Sequence, residues 1–413
     1  MTHVDDLAGE LDRLLAAADA ELAALYPGDR GVRQPVHTVY VPADRFVSGT
    51  VGEWADQAKA ALGEAPVGLT EALDLPPDLG AELYERVRAK LDREPIEDLR
   101  IDFEDGYGTR PDEQEDAAAI DAARALAKTV GDGTAAPYHG LRVKSLEAPS
   151  RRRGLRTLDL FLREFSSALT DGFVITLPKV TSVEQVEAML LILSTIEQAH
   201  NLPAESLKFE IQIETPQAIL GPDGSALVAR MIHAGGGRVT GLHYGTYDYS
   251  ASLGVAAAYQ SMDHPVADHA KDVMQLAAAS TGVFVSDGST NVLPVGDREA
   301  VHAAWRLHFG LVRRSLARGI YQGWDMHPAQ LPTRYAATYL FYREGLDTAG
   351  ARLRAYVSGG NSGYLDEPAT AAALAGYVLR GLECGAVDPA EVDKLIGVDT
   401  AGLAKLARRP VRS

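Results

Sequence analysis

Two acidic residues follow two apolar, β-branched runs of the sequence. The run FEIQI (209–213) is followed directly by Glu214, and the run VTGLHYG (239–245) is followed three residues later by Asp248. About one strand-plus-helix unit separates them, so we expect both acids at the carboxyl ends of neighbouring parallel strands. Such an arrangement suits Mg²⁺, which takes one or two carboxylates from protein and leaves its other positions for water and substrate. Gly245 and Gly254 bracket the second acid, as expected if a ligand needs access to the backbone; the alternative is that both acids are ordinary polar loop residues.

The elements that must position these acids are short apolar runs separated by stretches of helical periodicity. Continuous β-branched runs such as GFVITLPKV are typical of parallel strands that are buried on both faces. The pattern predicts eight strands, in the segments 36–46, 99–108, 139–147, 172–180, 209–214, 239–245, 281–295 and 319–332. Strands that alternate with helices in this way predict an α/β fold, a (β/α)8 TIM barrel with its chemistry at the carboxyl ends of the strands. A doubly wound open sheet is the competing fold, but no glycine-rich phosphate loop follows the first strand.

The overall composition is that of a globular protein with an acidic balance. The 413 residues include 40 Lys and Arg against 57 Asp and Glu, a formal net charge of −17. This balance argues against nucleic acid as a partner, because neutralising phosphates requires an excess of cationic side chains. The single cysteine, Cys384, excludes an intrachain disulfide and a cysteine-built metal site. The acidic amino terminus lacks an apolar signal core and no apolar run approaches ~18 residues, so we expect a cytoplasmic protein with no membrane partner.

Both ends of the sequence extend beyond the predicted barrel. Residues 4–26 place leucines at helical spacing with acids between them, which predicts an amphipathic helix that packs on the body or on another subunit. The tail shows helical patterning as well. The predicted organisation is an N-terminal helix (1–30), a barrel that carries the catalytic residues (31–345) and a C-terminal helical extension that acts as lid or oligomerisation element (346–413).

The motifs IQIETPQAI and GTYDYSASLG resemble the metal-binding core of the HpcH/HpaI aldolase and citrate lyase β-subunit superfamily. Its pattern is an IET strand and a later G-x-x-D-x-x-x-x-L-G segment, in which the Glu and the Asp ligate Mg²⁺ or Mn²⁺. The resemblance implies a barrel of the phosphoenolpyruvate/pyruvate type, with Glu214 and Asp248 as ligands of Mg²⁺ (or Mn²⁺). It covers roughly residues 36–375.

Two further segments match the same superfamily. DFEDG resembles its D-[LF]-E-D motif, whose acids lie near the metal and orient its waters, which implies that role for Glu104 and Asp105. LRVK resembles R-[VI]-N, whose Arg binds substrate oxygens and stabilises enolate charge, which implies Arg142. A guanidinium suits that task because it stays cationic and grips two oxygens. Lys144 stands where relatives usually carry Asn, and a surface salt bridge is the alternative for Arg142.

A match in the tail concerns acid–base catalysis. YLDEPA resembles the [MI]-[IV]-D-x-P signature of malyl-CoA lyases and of citrate-lyase-like proteins with malate synthase activity. There an Asp on a C-terminal lid acts as the acid or base, and in trimeric relatives it reaches the site of an adjacent subunit; the matching residue is Asp366. The alternative is that Asp366 caps a helix without catalysis. The resemblance also implies a homo-oligomer, a trimer or hexamer, which a lid acting between subunits requires.

These residues together suit chemistry through an enolate. A divalent cation chelated by a 2-oxo acid, such as pyruvate, oxaloacetate or glyoxylate, polarises the carbonyl, and Arg142 adds a second positive contact. Backbone amides of Gly245, Thr246 and Tyr247 would hold the substrate carboxylate, and Asp366 would move the proton. The predicted function is a Mg²⁺-dependent carbon–carbon lyase or synthase that acts on a 2-oxo acid or a malyl-type thioester.

Two alternatives stay open. The first is a class II pyruvate or 2-oxo acid aldolase that uses no coenzyme A. The basic run RRRGLR (151–156) bears on this choice, because it could meet coenzyme A phosphates but is more typical of a solvated helix face. The second is a non-catalytic barrel that retains its metal and binds ligand, although a scaffold has no need for a cation beside a free guanidinium.

Overall fold

In the computed structural model, which describes residues 3–360 and 363–410, eight parallel strands form a nearly closed ring. The strands are β1 (His37–Pro42), β2 (Asp98–Asp102), β3 (Tyr138–Arg142), β4 (Phe173–Leu177), β5 (Lys208–Ile213), β6 (Val239–Tyr244), β7 (Phe284–Ser286) and β8 (Gly323–Asp325). Their order is β7-β6-β5-β4-β3-β2-β1-β8. A parallel bridge between Ser286 and Gln322 brings the two edge strands together. The predicted (β/α)8 barrel is confirmed.

Helices surround this ring and extend from both ends of the chain. They are α1 (His3–Leu25), α2 (Thr50–Leu62), α3 (Val67–Ala72), α4 (Pro77–Arg93), α5 (Asp112–Gly131), α6 (Arg151–Phe165), α7 (Val183–Ala199), α8 (Pro216–Ile219), α9 (Leu227–Ala234), α10 (Thr246–Ser252), α11 (Pro265–Ala278), α12 (Arg298–Ala317), α13 (Leu331–Ser358), α14 (Pro368–Cys384), α15 (Pro389–Ile396) and α16 (Thr400–Leu406). Every residue of β4 is buried, as expected for a strand with helices on one face and the barrel interior on the other.

The interior of the barrel is polar and charged. Along β5, side chains alternate between two faces. Glu210 of β5 bonds to Arg100 of β2, and two strands lie between β2 and β5 in the ring, so this bond crosses the interior. The inward set is Glu210, Gln212 and Glu214, and the outward set is Phe209, Ile211 and Ile213, which belong to the apolar core. The last inward acid therefore lies at the carboxyl end of the barrel.

Helix α1 stands apart from the barrel. Its side chains from Val4 to Ala24 are all exposed, and Leu14 is 76% exposed. Packing of this helix on the body, one of the two predicted arrangements, is therefore wrong. Packing on another subunit stays a prediction.

The C-terminal extension is joined to the barrel by a single long helix. Helix α13 has 28 residues and runs across the predicted boundary at residue 345, so the extension begins inside a continuous helix. Apolar side chains of α14, among them Val378 and Leu379, belong to the same core as the barrel residues. Within residues 3–360 and 363–410, no helix is both long and apolar enough to cross a membrane.

Candidate active site

Four acids that follow three strands lie around one lysine that follows a fourth, and we call these acids the acid cluster. Its members are Glu104 and Asp105 after β2, Glu214 after β5 and Asp248 in α10. The Nζ of Lys179, which follows β4, lies 2.7 Å from Asp248 Oδ2. It also lies 2.9 Å from Glu104 Oε1 and 3.0 Å from Asp105 Oδ2. The backbone N–H of Lys179 donates to Glu214 Oε1 at 2.8 Å. The structure thus brings together all four acids that the sequence singled out after three different strands.

Local backbone geometry permits this close approach. Lys179 has a φ of 52°, a left-handed conformation that is uncommon for a residue with a side chain and costs about 1–3 kcal/mol. At Gly245, a side chain would begin 2.5 Å from the Cβ of Glu214. Only glycine therefore lets the end of β6 approach β5 here, which is a packing reason for a glycine that the sequence analysis connected with ligand access.

Burial governs the chemistry of Glu214. The residue is 2% exposed, and Gln212 Nε2 donates to its Oε2 at 2.7 Å. Burial raises the pKa of Glu214 to about 8, even though the nearby charges of Lys179 and Arg142 lower it. The negative charge of Glu214 is therefore incompletely compensated, and a further cation would stabilise its ionised form.

Arg142 is held rigidly at the end of β3. Its Nε and Nη2 donate to the two carboxylate oxygens of Asp102 at 2.7 and 2.8 Å, and its Nη1 donates to Gln212 Oε1 at 3.1 Å. The guanidinium carbon lies 4.7 Å from the ring centre of Tyr40 and 5.7 Å from that of Trp324. Because the side chain is buried, the surface salt bridge is the wrong interpretation. A fixed guanidinium beside the acid cluster suits stabilisation of an oxyanion.

The two acids after β2 differ in their pKa values. Burial raises the pKa of Glu104, although Arg142 and Lys179 act against this. For Asp105 burial acts in the same direction, but the ammonium of Lys179 outweighs it and the pKa is lowered. The N–H of Asp105 donates to Glu104 Oε2 at 2.9 Å, which fixes the pair side by side. Glu104 is therefore the better placed of the two to carry a proton.

The oxygen donors of the cluster fit a hard divalent cation. Mg²⁺ usually takes one or two carboxylates and completes its shell with water and substrate, and Glu214 and Asp248 supply that number. In the described ranges, no three or more His, Cys, Asp or Glu side chains are arranged to hold a metal by themselves. A cation here would therefore depend on water and substrate for its other ligands. The incompletely compensated charge of Glu214 fits such a cation, and the same oxygens suit Mn²⁺.

One of the three amides predicted to bind the substrate carboxylate is already engaged. The N–H of Gly245 donates to the carbonyl of Ile213 at 2.9 Å, as part of the pairing of β5 with β6. The assignment of Gly245 is corrected for this reason. Thr246 and Tyr247 open helix α10, and the first N–H groups of a helix have no partner within the helix, so these two amides remain the candidates.

Asp366 lies in the segment between α13 and α14 and pairs with Arg352 of α13. Its Oδ1 is 2.5 Å from Arg352 Nη2, and its Oδ2 is 3.2 Å from Arg352 Nε. The N-cap residue of α14 is Glu367, without a side-chain capping bond, so the interpretation of Asp366 as a helix cap is wrong. A catalytic role for Asp366 stays a prediction, which requires release from Arg352.

The basic run at the start of α6 divides into two pairs. Arg153 and Arg156 both form ion pairs with Asp116 of α5, each at 2.5 Å. Arg151 and Arg152 line an open groove between α6 and α7 with a volume of about 710 Å³. The second pair thus faces the groove, whereas the first pair is bonded to Asp116.

Sequence reasoning missed the roles of Gln212 and Lys179. Gln212 bridges Arg142 and Glu214, and its signal was its position two residues before Glu214, on the same face of the strand. Lys179 ends the segment LPK at a strand end, which placed it near the site, but its contacts with the acid cluster depend on a left-handed backbone that no sequence pattern indicated.

Solved structures with similar folds include a citrate lyase, a CitE protein and a malate synthase. A citrate lyase from Burkholderia xenovorans LB400 is 18% identical, with 89% of this chain and 99% of that chain covered and a TM-score of 0.58. The CitE protein of Mycobacterium tuberculosis, solved with magnesium, acetoacetate and coenzyme A, is 18% identical, with 86% and 99% covered and a TM-score of 0.50. A lead(II) complex of Haloferax volcanii malate synthase is 16% identical, with 92% and 99% covered and a TM-score of 0.50. At these identities the likeness establishes the shared barrel fold.

Comparison with curated proteins finds no match. A family model, in contrast, matches nearly the whole chain, residues 15–411. By this match the chain belongs to the family described as Domain of unknown function (DUF6986).

Proposed function

We propose that the protein is a Mg²⁺- or Mn²⁺-dependent carbon–carbon lyase or synthase that acts through an enolate on a 2-oxo acid or a malyl-type thioester. The observation that carries the proposal is that two groups lie at the same end of the barrel, joined through Gln212. One is the buried carboxyl group of Glu214, whose negative charge is incompletely compensated, and the other is the fixed guanidinium of Arg142. The ligands of the fold relatives are consistent with it, since the CitE protein was solved with magnesium, acetoacetate and coenzyme A.

Each side chain then has a defined task. The divalent cation, when bound by Glu214 and Asp248, would polarise the substrate carbonyl as a Lewis acid. Arg142, held by Asp102 and Gln212, would donate to the oxygen on which enolate charge develops. Because these partners fix the guanidinium before the substrate arrives, little reorganisation is needed during the reaction.

Substrate binding and proton transfer fall to other groups. The backbone N–H groups of Thr246 and Tyr247 would bind the substrate carboxylate. Asp366 would move the proton at the carbon next to the carbonyl, a contribution typically worth ~10²–10⁴ in rate. Since Asp366 is paired with Arg352, we propose that it acts once this ion pair opens, either in its own subunit or on the site of an adjacent subunit of a trimer or hexamer.

A class II aldolase without coenzyme A is the second candidate function. The observation in its favour is that Arg153 and Arg156 are occupied by Asp116, which leaves half of the basic run unavailable to phosphates. Arg151 and Arg152 on the open groove favour the thioester. Assays of acetyl-CoA with glyoxylate and of a malyl thioester, beside pyruvate with free aldehydes, separate the two.

The deciding experiment is exchange of the pyruvate methyl protons with deuterated water, followed by NMR in the presence of Mg²⁺ and then of a chelator. We expect exchange with Mg²⁺ and its loss on chelation, because enolate formation requires the cation. Absence of metal-dependent exchange or turnover with pyruvate, oxaloacetate, glyoxylate plus acetyl-CoA and malyl thioesters would instead support a non-catalytic ligand-binding barrel.

A further inference from the structure

One residue, Lys179, touches every member of the acid cluster, and the proposed reaction gives it no step. Its Nζ contacts Asp248, Glu104 and Asp105, and its backbone N–H contacts Glu214. We propose that Lys179 is a built-in counter-cation, which holds the four carboxylates together and competes with the divalent cation for Asp248. The inference rests on the proposed function, because it concerns the same two metal-binding acids.

The backbone at Lys179 is shaped for these contacts. Its φ of 52° lies in the left-handed region, which residues with side chains adopt only where their surroundings over-determine it. The surroundings here are bonds at both ends of the residue, from the N–H to Glu214 and from Nζ to Asp248. The side chain is 26% exposed, so the ammonium is partly withdrawn from water and its ion pairs are strengthened.

The charge balance of the cluster explains why removal of Lys179 would strengthen metal binding. The Nζ of Lys179 meets three of the four carboxylates, and the fourth, Glu214, accepts from the backbone N–H of the same residue. The guanidinium of Arg142 is bound by Asp102 and lies 3.5 Å from one member of the cluster, Glu104. The ammonium holds Oδ2 of Asp248, an acid that the cation also needs. Without the ammonium, the carboxylates would repel one another in the absence of metal and would attract a divalent cation more strongly.

The contacts of the Lys179 side chain are those of an ammonium group. Its Nζ lies within 3.0 Å of three carboxylate oxygens, and the ordinary pKa of a lysine side chain, about 10.4, makes it a cation at neutral pH. These ion pairs describe a counter-charge and not an amine placed to attack a carbonyl.

A second lysine at the same end of the barrel provides a matched control. The Nζ of Lys144, which lies after β3, donates to the carbonyls of Phe103 and Gly108 at 2.6 and 3.2 Å. It also forms an ion pair with Glu115 at 2.8 Å. Lys144 thus has the same charge and a similar number of partners, but these partners lie outside the acid cluster, and two of them belong to the loop after β2.

The test measures binding of Mn²⁺ by the full chain, from the electron paramagnetic resonance signal of the free ion, together with the melting temperature after chelation. It compares the wild type with Lys179→Met and Lys144→Met, since Met keeps the side-chain length and removes the charge. We expect Lys179→Met to bind Mn²⁺ about tenfold or more tightly, because removing a unit charge a few Å from a divalent ion has at least that effect even in water. Its melting temperature without metal should fall, and Lys144→Met should keep the wild-type Mn²⁺ affinity.

The outcomes separate this inference from the proposed function. Unchanged or weaker Mn²⁺ binding by Lys179→Met, beside normal binding by the wild type, would overturn the competition and leave the metal site intact. A wild type that binds neither Mn²⁺ nor Mg²⁺ would overturn both proposals. Lys179→Gln, also neutral, carries the same expectation and replaces Lys179→Met if that variant does not fold.

Discussion

Glu210 and Glu214 lie four residues apart on the same face of one chain segment, and their pKa values shift in opposite directions. Both are buried, and burial alone would raise the pKa of each. Glu210 accepts from Arg100 Nε and Nη2 at 3.1 and 2.8 Å and lies 3.0 Å from His243 Nε2. These partners lower the pKa of Glu210 well below its ordinary value, whereas that of Glu214 rises to about 8.

The difference separates a structural charge from a reactive one. Residue type and burial are shared, so the difference comes from the charges around each carboxyl group: Arg100 and His243 beside Glu210, and the acids Glu104 and Asp248 as well as two cations near Glu214. Glu210 is saturated by partners within the barrel and contributes to the interior of the fold. The negative charge of Glu214 is incompletely compensated, and this residue lies at the carboxyl end of the barrel, where a cation and a substrate can approach.

The largest expected effect is the loss of metal binding at the reactive position. Glu214→Gln and Asp248→Asn each remove a charged oxygen donor, so Mg²⁺ binding and metal-dependent proton exchange should fall below detection while the fold is kept. Isothermal titration and circular dichroism check this. Normal Mg²⁺ affinity in either variant would show that the ligand assignment is mistaken.

The same substitution at the structural position should instead destabilise the fold. Glu210→Gln leaves Asp98 as the remaining charge partner of the buried Arg100. Breaking a buried pair typically costs about 3–5 kcal/mol, and because Asp98 remains we expect the lower end, about 3 kcal/mol. Glu214→Gln should not destabilise the chelated protein at neutral pH, because the buried carboxylate of Glu214 is costly to ionise and Gln keeps its shape without the charge. Urea unfolding after chelation measures both, and equal losses would remove the distinction between the two acids.

A third carboxylate, outside the barrel interior, tests proton transfer. Asp366→Asn should leave Mg²⁺ affinity unchanged and lower turnover by about 100-fold, the lower end of the usual contribution of an acid or base. Glu344→Gln is the control, since Glu344 lies on the exposed side of α13 and forms an ion pair with Arg313 of α12. Wild-type turnover in Asp366→Asn would assign Asp366 to its ion pair with Arg352 alone.

The last prediction concerns pH. The pKa of Glu214 is about 8 in the folded chain, against an ordinary value of 4.5, so between these values the folded state holds a proton that the unfolded state has lost. The contribution is fully present below pH ~4.5 and is lost as pH rises to about 8, by up to ~1.4 kcal/mol per pH unit. The free energy of unfolding of the chelated wild type, measured with urea, should fall relative to that of Glu214→Gln across this interval. If the two free energies changed in parallel with pH, the raised pKa of Glu214 would be contradicted.

Part of the site could be predicted from the sequence, because the positions of two of its acids follow from a local pattern. A β-branched run that ends in an acid places that acid at a strand end, and this was sufficient to single out Glu214 and Asp248. The role of Lys179 could not be predicted, because it depends on a left-handed backbone and on acids that lie far apart in sequence. The availability of the Gly245 amide also depended on pairing with the neighbouring strand.

By itself, the sequence determined the eight strands, their alternation with helices and the acids at their ends, because hydrophobic periodicity and strand termination are properties of neighbouring residues. Only the tertiary structure decided which charges are satisfied. Glu210 and Glu214 both stand in the run FEIQIE, and nothing within that run shows that Arg100 reaches the first acid but not the second. Compensation of a buried charge is set by partners that other strands supply across the barrel, so it follows from the fold and not from local pattern.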